Sequence, residues 1–289
     1  MNLVSDEGFG VTTDSSGNIY VTGVSTTDIN HSLGLGITHI FLVKYNSSGT
    51  KQWTKRLGTK MSGVSETGID GGKDVTIDSS GNIYVTGYTG GGLDGNYYYG
   101  GGVLIGRDIF LVKYNSSGQK QWTRQLGSDR VDVGEGVTTD SSGNIYVTGT
   151  TEGILDKSTN SKGRGIFLVK YNSSGTKQWI KEWSIRFWDK GKDVTTDSSG
   201  NIYVTGENLS KLDETGSLNI FLIKYNSSGK KLWTKQMGTS TYDSGESVTT
   251  DSSDNIYVTG YTEGGLDGNT NSGKSDIFLI KYNSSGQKQ

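Results

Sequence analysis

Residues 14–23 read DSSGNIYVTG. The same ten letters return from Asp78, Asp140 and Asp197, and once more from Asp251 with Asp254 in place of Gly. Successive copies start 64, 62, 57 and 54 residues apart. A second phrase recurs between them, IFLVKYNSSG from Ile40, Ile109 and Ile166 and IFLIKYNSSG from Ile220 and Ile277. A third follows it: KQWTKRLG from Lys51, KQWTRQLG from Lys120, KQWIKEWS from Lys177 and KLWTKQMG from Lys231. Repetition at this period decides architecture before any single residue does.

One unit reads as four strands. GVTTD is a short run of strand formers, and DSSGN turns it back: Asp bonds its own backbone and Gly takes the left-handed position. NIYVTG completes a hairpin. After a variable Gly-rich loop, IFLVKYN is the third run, NSSGTK the second turn, and KQWTKQL-like sequence the fourth run. In IFLVKY, Ile40 and Leu42 point to one face and Phe41, Val43 and Tyr45 to the other. A strand apolar on both faces needs sheets above and below it. A stack of four-stranded antiparallel meanders meets that need, and it predicts an all-β propeller.

DSSGNIYVTG followed by IFLVKYNSSGTKQW resembles the bacterial β-propeller repeat family SBBP over nearly the whole chain. It is more distantly similar to NHL-type blades, with their D-x-x-G-N-x-Y-V hairpin. The resemblance implies a propeller, and a secreted or cell-surface bacterial setting. It implies no enzyme activity and no established ligand.

Composition agrees. Hydrophobic residues are 31% and aromatics 10% of 289 residues, with 45 Gly, no Pro and no Ala. Helix formers are scarce and every reversal falls to Gly, Asn, Asp and Ser. A net charge of −2 gives no bulk attraction for nucleic acid or anionic membrane. Zero Cys excludes disulfides, thiolate metal sites and thiol nucleophiles. No apolar run is long enough to span a membrane, and no signal peptide is read at Met1.

Five units are expected within one domain, 1–289: blade 1 about 5–58, blade 2 about 69–127, blade 3 about 131–184, blade 4 about 188–238 and blade 5 about 242–289. The fifth stops at NSSGQKQ, without its outermost strand, and residues 1–10 cover only a linker. A closed five-blade ring is expected, as a monomer, and a dimer that hides the incomplete end blades is the rival. The start and end of the chain also fit a fragment of a longer array.

Four sets of residues are candidates for function. In DSSGN, one carboxylate and two serines are too few hard ligands for calcium, which leaves a turn. Asp6, Asp70, Asp132, Asp189 and Asp243 each stand five residues before the strand Val. With that strand innermost they form a carboxylate ring at the channel mouth, able to hold a cation or a basic side chain; the structural alternative is that each bonds local backbone. Asp267, Asn269 and Asn271 at spacing two resemble the front half of a weak calcium loop, without the Glu at its twelfth position. Tyr97, Tyr98 and Tyr99 in the blade 2 loop, with Trp183, Arg186 and Trp188 in the IKEWSIRFW stretch that replaces TKQLG, break the repeat. They are the residue types of binding hot spots or sugar stacking. The repeated Trp53, Trp122, Trp179 and Trp233 read as core.

Catalytic motifs are missing. His31 and His39 are the two histidines, and no Ser-His-Asp set, HExxH, P-loop or GxSxG occurs. The expected function is therefore a non-enzymatic binding or adhesion scaffold that contacts a protein or glycan through interblade and strand 2–3 loops. The alternatives are a carbohydrate-active propeller using mouth carboxylates, and a purely structural repeat block. No cofactor is expected beyond the calcium reading.

Overall fold

The computed structural model describes residues 5–30, 35–59, 69–99, 106–157, 165–183, 189–209 and 217–289. These hold nineteen strands in five antiparallel meanders. Blade 1 is β1 (Asp6–Thr13), β2 (Ile19–Asn30), β3 (Leu35–Tyr45) and β4 (Lys51–Leu57). Blade 2 is β5 (Gly71–Ile77), β6 (Ile83–Thr89), β7 (Asp108–Tyr114) and β8 (Lys120–Leu126). Blade 3 is β9 (Asp132–Thr139), β10 (Ile145–Thr151), β11 (Gly165–Tyr171) and β12 (Lys177–Trp183). Blade 4 is β13 (Lys190–Thr196), β14 (Ile202–Leu209), β15 (Leu218–Tyr225) and β16 (Lys231–Met237). Blade 5 has β17 (Asp243–Thr250), β18 (Ile256–Thr262) and β19 (Asp276–Tyr282), and lacks the outermost strand as the repeat predicts. No helix among the described residues is long and apolar enough to cross a membrane. The chain divides into two compact units, Met1–Val137 with Thr151–Leu155, and Thr138–Thr150 with Asp156–Gln289.

The repeated letters become repeated contacts. The turn Gly17, Gly81, Gly143 and Gly200 stand at φ of 76–77°. Asp254 takes the same conformation at 59° and turns it to use, accepting bonds from the Ser198 amide and hydroxyl. The Gly of VTG is required for a different reason. A Cβ on Gly87 would lie 2.0 Å from the Gly71 carbonyl oxygen, and one on Gly23 1.9 Å from that of Glu7. The preceding Thr seals the middle of the blade, its hydroxyl donating to the Phe carbonyl of the third strand (Thr86 to Phe110, 2.8 Å; Thr205 to Phe221, 2.8 Å).

Blades pack through the two apolar faces of IFLVKY. In the first unit, Tyr20, Ile40 and Leu42 meet Val75, Ile83, Val85 and Phe110. In the second, Tyr203, Ile220 and Leu222 meet Val248, Ile256 and Val258. Each repeated Trp lies on the hairpin Tyr of its own blade, with ring centroids 6.0–6.1 Å apart. Elsewhere the same positions are bare. Val11 of blade 1 is 65% exposed, and Ile277 and Leu279 of blade 5 are 91% and 71% exposed.

Two inner strands carry a further clasp that the repeat does not announce. A bulge follows Gly72 and Gly191. It turns Asp74 and Asp193 toward the next inner strand, where they accept the Val137 amide (2.8 Å) and the Val248 amide (2.9 Å). Burial pushes Asp193 upward, against the pull of these bonds.

Candidate functional site

The turn carboxylates are fully occupied. Asp14 accepts the Ser16 amide, the Asn18 amide and side chain, and the Tyr20 hydroxyl, at 2.8–3.0 Å. Asp78, Asp140, Asp197 and Asp251 repeat the set. Side-chain and backbone bonds from Asn255, with lesser ones from Ser253 and Tyr257, hold Asp251 down to about 2. The motif is a turn, and it also ties down the hydroxyl of a core Tyr.

The linker carboxylates differ from the channel-mouth reading. Asp6 is exposed, but Asp70, Asp132 and Asp243 are 0% exposed and Asp189 2%. Asp70 accepts the Thr59 amide (2.6 Å) and the hydroxyls of Thr59 and Thr89. Asp132 accepts the Ser128 amide and the Ser128 and Thr151 hydroxyls. Asp243 does the same with Thr239 and Thr262, and Asp189 accepts the Leu209 amide. Each thus fastens its own blade, Asp70, Asp132 and Asp243 by joining the entering linker to the end of the second strand. Burial forbids the open ring of charge.

The calcium-loop residues are committed to separate partners. Asp267 pairs with Lys288, Asn269 donates to the Leu266 carbonyl (2.9 Å), and Asn271 to the Thr262 carbonyl (3.4 Å). No group of three His, Cys, Asp or Glu among the described residues is placed to hold a metal. Trp183, expected at a binding surface, is half-buried at the end of β12, its ring 5.8 Å from Tyr225. Arg186 and Trp188 lie outside the described residues.

Blade 2 keeps its aromatics in the open. Tyr97 and Tyr99 are 74% and 43% exposed and meet edge to face at 4.9 Å and 76°. Tyr98 between them is half-buried. The loop is anchored from below. The Tyr99 amide and the Gln125 side chain both donate to Asp108 Oδ2 at 2.8 Å, and Gln125 also bonds the Gly91 carbonyl and the Leu93 amide. Asp108 is 0% exposed, and its Oδ1 has no hydrogen-bond partner among the described residues. Gly127 leaves it room, since a Cβ there would lie 2.1 Å from that oxygen. Burial pushes the Asp108 carboxyl up to about 6, although the Tyr99 and Gln125 bonds pull it down. Burial takes Asp132 up to about 7, with the Asp108 charge adding to it.

Sequence reasoning missed Asp108. The position before IFLVKY holds His39, Asp108, Gly165, Asn219 and Asp276 in the five blades, a variable site inside a constant phrase. Aligning the units would have shown it. Glu207 was missed in the same way. It stands where the other blades have Val24, Tyr88, Thr150 and Tyr261, and it is fully buried. Lys190 pairs with it at 2.9 Å, and the Tyr242 hydroxyl donates to it at 2.5 Å. Burial opposes its charge, but these bonds hold its carboxyl below the usual range.

A family model described as a beta-propeller repeat, SBBP, matches residues 2–30, 52–94, 121–156, 178–207 and 232–267, more than half of the chain. This chain belongs to the SBBP β-propeller repeat family. Among curated proteins, the SBBP chain is 27% identical over 259 residues to an uncharacterized WD repeat-containing protein of Acanthamoeba polyphaga mimivirus, covering 71% of this chain and 18% of that protein. It is 25% identical over 241 residues to the regulatory protein FlaEY of Caulobacter vibrioides, covering 72% of this chain and 24% of that protein. The chain therefore spans about a fifth to a quarter of the length of these relatives. Among solved structures, a protein of unknown function from Bacteroides caccae superposes with a TM-score of 0.50 at 10% identity, covering 98% of this chain and 80% of that one. Puromycin hydrolase matches with a TM-score of 0.50 at 10% identity over 99% of this chain and 38% of its own. Such likeness shows the fold alone.

Proposed function

We propose that this SBBP chain is a binding module, and that the loop of blade 2 makes the contact. The observation that carries the reading is the exposed edge-to-face pair Tyr97 and Tyr99, fixed to the blade through buried Asp108. Paired Tyr rings offer a large, rigid apolar area with few rotatable bonds, and their hydroxyls add polar contact. The module acts at a bacterial cell surface or outside the cell, as the family resemblance implies. A glycan and protein-ligand array tests the reading, with Tyr97→Ala/Tyr99→Ala as the comparison. The double variant should lose at least about tenfold in affinity for any ligand found. Equal binding by both forms would overturn it.

The hydrolytic alternative rests on Asp108 and Asp132, whose carboxyls are raised to about 6 and about 7. Both are 0% exposed, and a substrate would have to displace the Tyr loop to reach Asp108. Turnover of an aryl glycoside or ester panel that Asp108→Asn abolishes would favour this alternative over binding.

A further inference from the structure

Blades 2 and 5 make the same turn and then part. Residues 92–99 read GLDGNYYY and residues 265–272 read GLDGNTNS. Each forms a 3-10 turn, Leu93–Gly95 and Leu266–Gly268, with its Asp at φ 53° and 55°. Each is then anchored by the carboxylate before the third strand. Asp108 Oδ2 accepts the Tyr99 amide at 2.8 Å, and Asp276 Oδ2 accepts the Ser272 amide at 2.7 Å. Thr270, Asn271 and Ser272 thus hold the positions of Tyr97, Tyr98 and Tyr99 without aromatic rings. The turn and its anchor do not need three tyrosines, so the rings serve something other than the loop's own fold.

Those rings form a corner over negative charge. Tyr97 and Tyr99 stand at 76° with centroids 4.9 Å apart and are 74% and 43% exposed, so two ring faces meet in the open at nearly a right angle. Asp108 beneath them is fully buried, and its Oδ1 has no hydrogen-bond partner among the described residues. The bonds that Asp108 and Asp132 accept come from amides, Gln125 and hydroxyls, none of them a cation. Neighbouring cations are committed elsewhere: Lys120 to Asp94, Arg107 to the Tyr88 ring at 4.4 Å, and Arg124 to the Trp122 ring at 5.0 Å. The Asp108 charge reaches the loop, since it adds to burial in pushing the Tyr98 hydroxyl up. A cation on a ring face is attracted by the ring quadrupole, and more strongly where a carboxylate without a counterion lies behind the ring. A neutral ligand gains nothing from that field.

Resting on the binding role proposed for this loop, we infer that the Tyr97–Tyr99 corner takes an organic ammonium group, quaternary or alkylated, with its positive end against both rings above Asp108. Such a group spreads its charge over methyl groups that pack on apolar rings, and it needs no oxygen ligand. A small inorganic cation fits poorly, because the corner offers it rings in place of a shell of oxygens. The titratable groups facing Asp108 are Tyr98 of the loop and Asp132 of β9. Burial holds Asp108 up to about 6 and Asp132 up to about 7, so both gain charge as pH rises to neutrality while Tyr98 stays protonated. A ligand of fixed positive charge should therefore bind more tightly at the upper end of that range.

The test is a ligand-observed NMR titration of the intact 289-residue chain with choline and with its uncharged isostere, in which carbon replaces the nitrogen. Choline should bind saturably, at least about tenfold more tightly than the isostere. Tyr97→Ala/Tyr99→Ala should abolish that binding. Between pH 5 and pH 8 the choline affinity should rise about threefold in the parent, and by less in Asp108→Asn, whose side-chain oxygen can still accept the Tyr99 amide. Equal affinity for choline and the isostere would overturn the ammonium preference, while a Tyr-dependent hit on the ligand array would still stand. Choline binding that survives the double Tyr variant, or no saturation by choline at all, would overturn the corner as its site. A choline affinity flat across that pH range would remove the buried carboxylates from it.

Discussion

Blades 2 and 5 share the GGLDGN start of their loop, the NSSGQK turn and all but one letter of their second and third strands, yet those residues differ in burial. Leu111 is 2% exposed and Leu279 71%; Asp108 is fully buried and Asp276 only half so. The same residue therefore does different physical work in each. A repeat specifies a shape, and neighbours decide what that shape is worth.

The largest effect should separate the two leucines. Leu111→Ala is expected to cost about 3 kcal/mol, from lost burial and a residual cavity, and Leu279→Ala less than about 0.5 kcal/mol. Urea titration of each variant checks this, and similar losses would break the comparison. Next come the carboxylates before the third strand, which should respond to pH with opposite signs. Asp108 has a raised folded value of about 6, so its contribution is full below the unfolded value of 3.8 and is lost as pH rises through 6. Asp108→Asn should then stabilise by about 1 kcal/mol at pH 8, after discounting for solvent screening, and by almost nothing at pH 4. Asp276 is lowered by bonds from Ser272. Its contribution is present above the unfolded value and lost on acidification, so Asp276→Asn should narrow the acid limb of the melting profile. Thermal melts between pH 3 and 8 distinguish the two.

A smaller difference is expected at the hairpin Tyr. Tyr84→Phe removes a bond to Asp78 beneath Trp122 and should cost about 1 kcal/mol. Tyr257→Phe removes the matching bond from a more open ring and should cost less; denaturant midpoints measure both. Smallest of all, Tyr97→Ala should leave the melting temperature within about 1 °C of the parent by calorimetry, because the ring is exposed.

Much of this was legible. The five meanders, the turn role of DSSGN and the half-buried Trp packed on each hairpin Tyr follow from letters that recur, since a repeated residue faces the same local backbone each time. The signal for the linker carboxylates was also present but unread. Thr59, Ser128 and Thr239 each follow a Leu-Gly or Met-Gly, and these hydroxyls bury the charge that looked free. Trp183 is the last residue of β12, where the other blades end this strand in Leu57, Leu126 and Met237, so its break in the repeat is a change of side chain within a strand. Asp108 and Glu207 stayed hidden for another reason. Their importance comes from partners 17 to 35 residues away, Gln125 and Tyr242, that no local pattern connects.

The near-identity of the third strands has a kinetic consequence. The copies of IFLVKY or IFLIKY compete for fourth strands that are almost as alike, so a refolding chain meets many wrong pairings of nearly native energy. Only short-range closure can sort them: each NSSG turn brings its own partner within reach long before a distant copy arrives. Folding should therefore be fast within hairpins and slow between blades, and increasingly error-prone as protein concentration rises.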